Sequence, residues 1–486
     1  MTATEGRHDL LIGGERVTPS SGEYLTTVDP ATEEPLADVA VADASDVDRA
    51  VAAAREAASA WRDVDPAERG RVVHRVADRI REAIDDLAAL ESRDQGKPLS
   101  QARSDMSSAA RYFEYYAGAA DKLEGKSVPV GTDQVDFTLR EPYGVSAQII
   151  PWNFPGNILA RGVAPALVAG NAVVVKPAPT TPLSAYRLAE LCLEAGVPDA
   201  AINVVSGAGE TGAALTRHEG VDTITFTGSV ATGQRVMEAA ATSVTPVTLE
   251  LGGKNPAVVY PDADVTDVAD WVETGIFTNA GQVCSAVDRV VVHERIHDRF
   301  VDEIAARAEA LTLGPGTDDP DVGPLNSAEH LERVRDYVAT GEREGATLVT
   351  GGRSPDREGW FFEPTVFDDV DRGMTIAQEE IFGPVLAVIP YADADDPIEI
   401  ANDVAYGLVA GVFTNDVRRA LRAAQRLEAG NVYVNKWFGD THQTPFGGYK
   451  QSGIGREKGL EALDSYLQTK NVAIDLGGAG GDLPGA

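Results

Sequence analysis

From Tyr143 onward, short apolar runs alternate with amphipathic helical runs at near-regular intervals, and that rhythm constrains the fold more than any other feature of the chain. Segments 145–150, 172–176, 202–205, 223–227 and 247–251 read as short strands, apolar enough to be buried. Helical patterning fills the gaps at about 156–169, 182–194, 210–217 and 230–241. Strand, helix and strand in this order imply right-handed crossovers and a parallel sheet, whose ligands bind at the carboxyl ends of the strands.

This half of the chain therefore reads as Rossmann-like. A second α/β series follows, with strands expected at 256–259, 289–293, 347–350, 385–390 and 411–413. Its helices are expected at 265–278, 296–310, 328–344, 396–403 and 417–427. Upstream, residues 1–42 alternate short β-like runs with turns, and 43–92 are alanine-rich and helical. Ser45 is a plausible N-cap for a helix over 46–61, Pro66 opens another that runs through Leu90, and a third covers 99–119. An alternating strand at 135–140 interrupts the helical region. The fold class expected is α/β.

Acidic residues outnumber basic ones 76 to 42, for a net charge of −34. Such a chain repels nucleic acid and anionic membranes. Lysine is sparse and arginine supplies most of the positive charge, which reads as adaptation to high salt; the alternative is an ordinary acidic cytosolic protein. Cys192 sits at helical spacing among leucines and reads as core, while Cys284 lies between a helical segment and a strand. Two cysteines so placed give no disulfide framework, which points to a reducing compartment. With no secretory pattern in residues 1–13 and no run of 18 apolar residues, the expected location is cytoplasmic.

Candidate site residues lie at strand ends. Gly207, Gly209 and Gly212 match the dinucleotide pattern G-x-G-x-x-G, yet they follow the third strand rather than the first, and no acid stands at the distance that would read a ribose. Gly228, Ser229 and Gly233 offer a competing phosphate site, where backbone N–H groups, a hydroxyl and a helix N-terminus converge. Glu250, flanked by leucines, is a carboxylate whose burial would raise its pKa toward the working range of a general base. Asn153 stands at the carboxyl end of the first strand. Taken singly, each has a bland alternative: a turn residue, an ion-paired acid, or a core thiol.

Taken together they do not. The segments 151–155, 176–178, 226–229, 250–256, 281–286, 379–384 and 445–453 closely resemble the NAD(P)-dependent aldehyde dehydrogenase superfamily, in order and approximate spacing. The resemblance implies a Rossmann-like cofactor-binding domain (1–122 and 142–250), an α/β catalytic domain (251–451), a small β oligomerisation element (123–141 and 466–476) and a flexible tail (477–486). It implies Cys284 as nucleophile, Glu250 as general base and Asn153 as oxyanion donor, with no metal. Cofactor contacts are implied at Ile149, Trp152, Lys176, Gly209, Gly228, Ser229, Glu380 and Phe382. The partners implied are a small-molecule aldehyde and further copies of the chain, in a homodimer or homotetramer.

Two departures bear on specificity. Many NAD-preferring relatives carry a glutamate three residues after the lysine, where this chain has Pro179, so NAD and NADP both fit, with NAD slightly favoured. Arg161 occupies a position that is tryptophan in many relatives and arginine in those acting on succinic semialdehyde, whose distal carboxylate a guanidinium fork suits. A second basic residue that often accompanies it is Thr278 here, and Arg161 could instead pair with an acid such as Asp440. The substrate expected is thus a carboxylate-bearing semialdehyde, or else a short neutral or hydroxylated aldehyde, with Arg161 and Phe446 as substrate-side residues. A catalytically silent protein on the same scaffold would be expected to lose Cys284, Glu250 or Asn153, and all three are present.

Overall fold

Five parallel strands frame the first half of the structure, a computed structural model that describes residues 6–439 and 441–477. They are β1 (Val145–Ile149), β2 (Ala172–Lys176), β3 (Ile202–Val204), β4 (Thr223–Thr227) and β5 (Val247–Glu250). Every residue of β2 and β4 is buried, because helices cover both faces of the sheet. Removing each of Val173, Val174 and Val175 from water contributes roughly 1.5–3 kcal/mol. The spatial order is β3-β2-β1-β4-β5. Chain direction across the sheet reverses between β1 and β4, so the loops leaving those two strands diverge and open a crevice.

The connecting helices are α1 (Pro155–Ala169), α2 (Leu183–Glu194), α3 (Gly209–Arg217) and α4 (Val230–Ala241). They match the sequence expectation within a residue or so, since turn residues mark their ends. The second sheet contains β6 (Asn255–Val259), β7 (Val287–His293), β8 (Thr365–Asp368), β9 (Val385–Tyr391), β10 (Val409–Phe413) and β11 (Asn431–Val434). These run parallel in the order β8-β9-β7-β6-β10-β11, with Thr347–Thr350 antiparallel at the β8 edge. Only four residues separate the end of β5 from the start of β6. The carboxyl edge of the first sheet thereby meets the amino edge of the second.

Strands at 127–128, 134–142 and 467–475 form a third, antiparallel sheet where the small β element was expected. Two helix boundaries differ from expectation. The first long helix is capped by Asp43 rather than Ser45: the Asp43 carboxylate accepts from the N–H groups of Ser45 and Asp46, and Asp46 reaches back to the Asp43 N–H. The helix opened by Pro66 stops at Glu82, and a second runs from Ile84 to Gln95, because Ala83 leaves helical geometry at φ −105°, ψ 12° without a glycine or proline to announce it. Among the described residues no helix is long and apolar enough to cross a membrane. Of the expected tail, residues 478–486 lie outside the described residues, as does Asp440.

Candidate active site

Strand pairing decides which loops become neighbours. Since β7 pairs with both β6 and β9, the loops before these three strands lie side by side. They carry Gly252 and Gly253, Cys284, and Glu380 with Phe382. The crevice between β1 and β4 faces them from the first sheet, contributing Trp152, Asn153, Gly228 and Ser229, while Glu250 ends β5 beside it. A cleft of about 720 Å³ is lined by these groups, Gly253 excepted, together with His330 and Arg333.

Cys284 is held in a strained loop. Asn279, Ala280 and Gly281 are consecutive residues in the left-handed region, at φ 51°, 55° and 73°. Buried hydrogen bonds fix them there: Gln282 Nε2 donates to the Asn279 carbonyl at 2.9 Å, and the Asn326 N–H donates to Gln282 Oε1 at 2.9 Å. Gly281 is needed for closeness as well, since a Cβ there would run into the Gly383 carbonyl. Beyond the cysteine, Asn255 Nδ2 donates to the carbonyls of Cys284 and Ala286, both at 2.8 Å, and Trp437 Nε1 donates to the Ser285 carbonyl at 2.9 Å.

Asn153 reaches the same loop. Its Nδ2 donates to the Gln282 carbonyl at 2.9 Å, and Asn153 and Cys284 line the same cleft. The turn that carries it is anchored from beneath: Lys97 lies 4.1 Å from the Phe154 ring and is paired with Glu91, which accepts the Gly156 N–H at 3.1 Å. Composition and periodicity gave no hint of this buried lysine.

The electrostatics set a resting state. Burial pushes the Cys284 thiol up to about 12, opposed by the Arg161 guanidinium and reinforced by Glu380 and Glu250. The thiol is therefore protonated at neutral pH and needs a base to react. Glu250 is 2% exposed, and neither oxygen has a hydrogen-bond partner among the described residues. Burial holds it well above the usual carboxylate range, with the Glu457 charge adding to the effect and Arg161 opposing it.

Glu380 packs against bare backbone: a Cβ on Gly252 would collide with its carboxylate, and the Gly253 N–H donates to it at 3.0 Å. Burial pushes its pKa to about 7. Phe382 and Trp152 meet edge to face at 5.3 Å.

The remaining candidates are dispersed along the carboxyl edge of the first sheet. Ile149 is half-buried at the end of β1, and Lys176 ends β2 with burial alone pulling its ammonium down to about 8. Gly209 opens α3 with open space where a Cβ would stand, and a Cβ on Gly212 would touch the Lys176 hydrocarbon at 4.0 Å. Ser229 caps α4. None of Ile149, Lys176 and Gly209 lines the cleft at Cys284.

Arg161 and Phe446 sit together on another side. Arg161, 6% exposed, is paired through Nε with Glu457, 3% exposed, and its guanidinium lies 5.4 Å from the Phe446 ring. Phe446 and Glu457 face each other in an antiparallel bridge, their backbones exchanging bonds of 2.7 and 2.8 Å. The ion-pair alternative for Arg161 thus finds an acid, Glu457. Sequence reasoning also missed His330, Arg333 and Asn255; only Asn255 had a signal, its place directly after Gly252, Gly253 and Lys254.

A sequence model described as the aldehyde dehydrogenase family matches residues 17–472. A hydroxyisobutyraldehyde dehydrogenase of Mycolicibacterium austroafricanum is 45% identical over 471 residues, covering 96% of this chain and 94% of that one. The solved NAD+ complex of an aldehyde dehydrogenase from Bacillus cereus superposes with a TM-score of 0.95 at 42% identity, covering 97% of each chain. A betaine aldehyde dehydrogenase from Staphylococcus aureus, also solved with NAD+, gives 0.95 at 39% identity over 96% of this chain and 95% of that one. Motif order, sheet order and likeness along nearly the whole length agree, and the chain belongs to the aldehyde dehydrogenase family.

Proposed function

We propose that the chain oxidises a short neutral or hydroxylated aldehyde to its carboxylic acid, with NAD or NADP, through a thioester on Cys284. The observation that carries this reading is the convergence of a thiol, an amide donor and a buried carboxylate on one cleft between two sheets. Cys284 Sγ, losing its proton to a base, attacks the carbonyl carbon. Asn153 Nδ2–H and the Cys284 backbone N–H receive the oxyanion, and one such preset donor is worth about 3–4 kcal/mol of barrier. A bound nicotinamide supplies the hydride acceptor. Collapse of the tetrahedral adduct leaves an acyl group on Cys284, and Glu250 then takes a proton from the water that attacks it, releasing the acid.

The residues present fit such a cofactor. Ser229 and Gly228 stand at a helix N-terminus open to the cleft, and Lys176 carries a buried ammonium whose pKa is moved by desolvation alone. Glu380 and Phe382 would hold the nicotinamide side, with Trp152 packed behind Phe382. Ile149, Lys176 and Gly209 would hold the adenosine side.

Arg161 supports a neutral substrate rather than a semialdehyde. Binding a distal carboxylate there would displace Glu457 and strand a buried anion near Glu250. One relative at 45% identity is named for a short hydroxylated aldehyde, hydroxyisobutyraldehyde. The antiparallel sheet exposes Val135, Leu139 and Ile474, which suits it to join copies into a homodimer or homotetramer. A steady-state screen of aldehydes with NAD and NADP tests the activity. Cys284→Ala is expected to abolish it, and near-normal turnover in that variant would overturn the assignment.

A further inference from the structure

Asn153 and Cys284 stand on loops of two different sheets, so their spacing needs a tie between the sheets. Asn279 supplies it. Its Nδ2 donates to the Asn153 carbonyl at 3.1 Å and to the Gln282 carbonyl at 3.3 Å. The Gln282 carbonyl also receives Asn153 Nδ2, at 2.9 Å, so both of its acceptor positions are filled. Its peptide immediately precedes the one that carries the Cys284 N–H. Asparagine suits the position because it is among the few side chains that tolerate a left-handed backbone, here φ 51°.

Asn279 is itself held from outside the cleft. Its backbone N–H donates to Gln101 Oε1 at 2.9 Å. Gln101 lies in the first turn of the helix Leu99–Ala117, none of whose residues lines the cleft. One turn further along that helix Asp105 pairs with Lys97 Nζ at 2.6 Å, and Lys97 pairs at 3.2 Å with Glu91 on the preceding helix, Ile84–Gln95. Glu91 and Lys97 are the groups that hold Gly156 and Phe154 beneath the Asn153 turn. A Cβ on Gly156 would come within 2.9 Å of the Glu91 carboxylate, so the turn sits directly on it. The corner is tied to the nucleophile loop a second time, because Asn326 Nδ2 donates to the Gln95 carbonyl at 3.3 Å while its N–H holds the Gln282 side chain. Residues 91–105 thus touch both loops, one through Glu91 and Lys97 and the other through Gln101.

We propose that the helical corner at 91–105 sets the spacing of the two oxyanion donors, with Gln101 and Asn279 as positioning residues for Asn153 Nδ2 and the Cys284 N–H. The proposal rests on the reading of those two groups as the donors to the oxyanion. Gln101 acts at one remove. Without its oxygen, the buried Asn279 N–H must turn to find another partner, and the Asn279 amide moves off the Asn153 carbonyl with it.

Aldehyde oxidation and the cofactor-free hydrolysis of p-nitrophenyl acetate both pass through an oxyanion at Cys284, so a misplaced donor slows both. Gln101→Leu is expected to lower kcat/KM for the aldehyde, at saturating cofactor, and for the ester by similar factors of roughly tenfold or more, with the cofactor KM within about twofold of wild type. Gln101→Glu, which keeps an acceptor oxygen at the same reach, is expected to restore most of both rates. In an Asn153→Ala background, Gln101→Leu is expected to add less than about threefold, since the donor it places is gone, whereas a general loss of structure would multiply in full. Should Gln101→Leu not fold, Asn279→Gly removes the tie with a residue at ease at φ 51°, and the same pattern is expected. The proposal is overturned if both variants keep wild-type rates, if ester hydrolysis is spared while oxidation falls, or if the loss is as large in Asn153→Ala as in the native enzyme. Failure of the underlying reading looks different: Asn153→Ala alone would leave both reactions unchanged.

Discussion

Arg161 and Glu457 form an ion pair almost closed to solvent, and both charges act on Glu250, the proposed general base. Burial works against the guanidinium, and the Glu457 carboxylate outweighs it, so the Arg161 pKa is raised and its charge is permanent. The pair therefore places one fixed cation near Glu250 and Cys284, both of which feel its field. A guanidinium so committed is a poor receptor for a substrate anion.

It follows that Arg161→Leu should lower kcat/KM for succinic semialdehyde and propanal by similar factors, within about threefold of each other. A loss confined to the semialdehyde would show that its carboxylate is bound at Arg161 after all. Breaking the pair from either side is expected to destabilise the fold by about 3–5 kcal/mol, because one buried charge is left alone. Arg161→Leu combined with Glu457→Leu should recover much of that loss in thermal unfolding.

Glu250 gives a prediction with a defined pH sense. Its folded-state pKa lies above the unfolded value, so the stability it contributes is present below the unfolded pKa and is lost as pH rises through the folded one. Catalysis runs the other way, since only the ionised form accepts a proton from water. Turnover should climb as pH rises through the folded-state pKa, which lies above the usual carboxylate range. Glu250→Gln should slow acid release by about 10²–10⁴-fold, with that ascending limb flattened. Rapid mixing should still show a burst of reduced cofactor in this variant, because thioester formation precedes the blocked step; a variant with wild-type steady-state turnover would remove Glu250 from the mechanism.

What the sequence disclosed divides along a physical line. Strand and helix identity follow from local period and punctuation, so β1 to β5 were legible nearly to the residue. The short strands β8 and β11 were not: each is only four residues long and, although Pro364 and Gly430 mark their starts, both depend on neighbours far along the chain. Cys284, Glu250 and Asn153 were visible as residue types at strand ends. Their supports were hidden: Glu457 for Arg161, Lys97 beneath Phe154, and the left-handed run at Asn279 and Ala280, which contains no glycine until Gly281. Such partners are chosen by tertiary packing, which leaves no local period to read.

Cofactor choice is predicted to turn on Lys176 and Pro179. Proline carries no carboxylate to repel a 2′-phosphate, and the Lys176 amine, already brought down to about 8 by burial, gains from any anion beside it. Both NAD and NADP should therefore be used. Pro179→Glu should cut kcat/KM for NADP by about tenfold or more while changing that for NAD far less, as like charges would then face each other at short range. Equal effects on the two cofactors would move the 2′-phosphate away from this position.

A charge of −34 predicts how the protein responds to salt. Many exposed arginines are already paired one helical turn away, as Arg71 is with Glu68 and Arg79 with Glu82, and such pairs contribute about 0–1 kcal/mol each. Salt weakens those attractions slightly, but it also screens the repulsion among the acids that have no cation nearby. The screening length shortens from about 10 Å at 0.1 M to about 3 Å at 1 M, less than the spacing of most surface charges. Repulsion, being the larger sum in a chain this acidic, should be relieved more than attraction is lost. The unfolding midpoint is therefore expected to rise by about 5 °C between 0.1 and 1 M KCl, measured by scanning calorimetry at constant pH. A flat or falling midpoint would mean that the acidic surface is not an adaptation to salt.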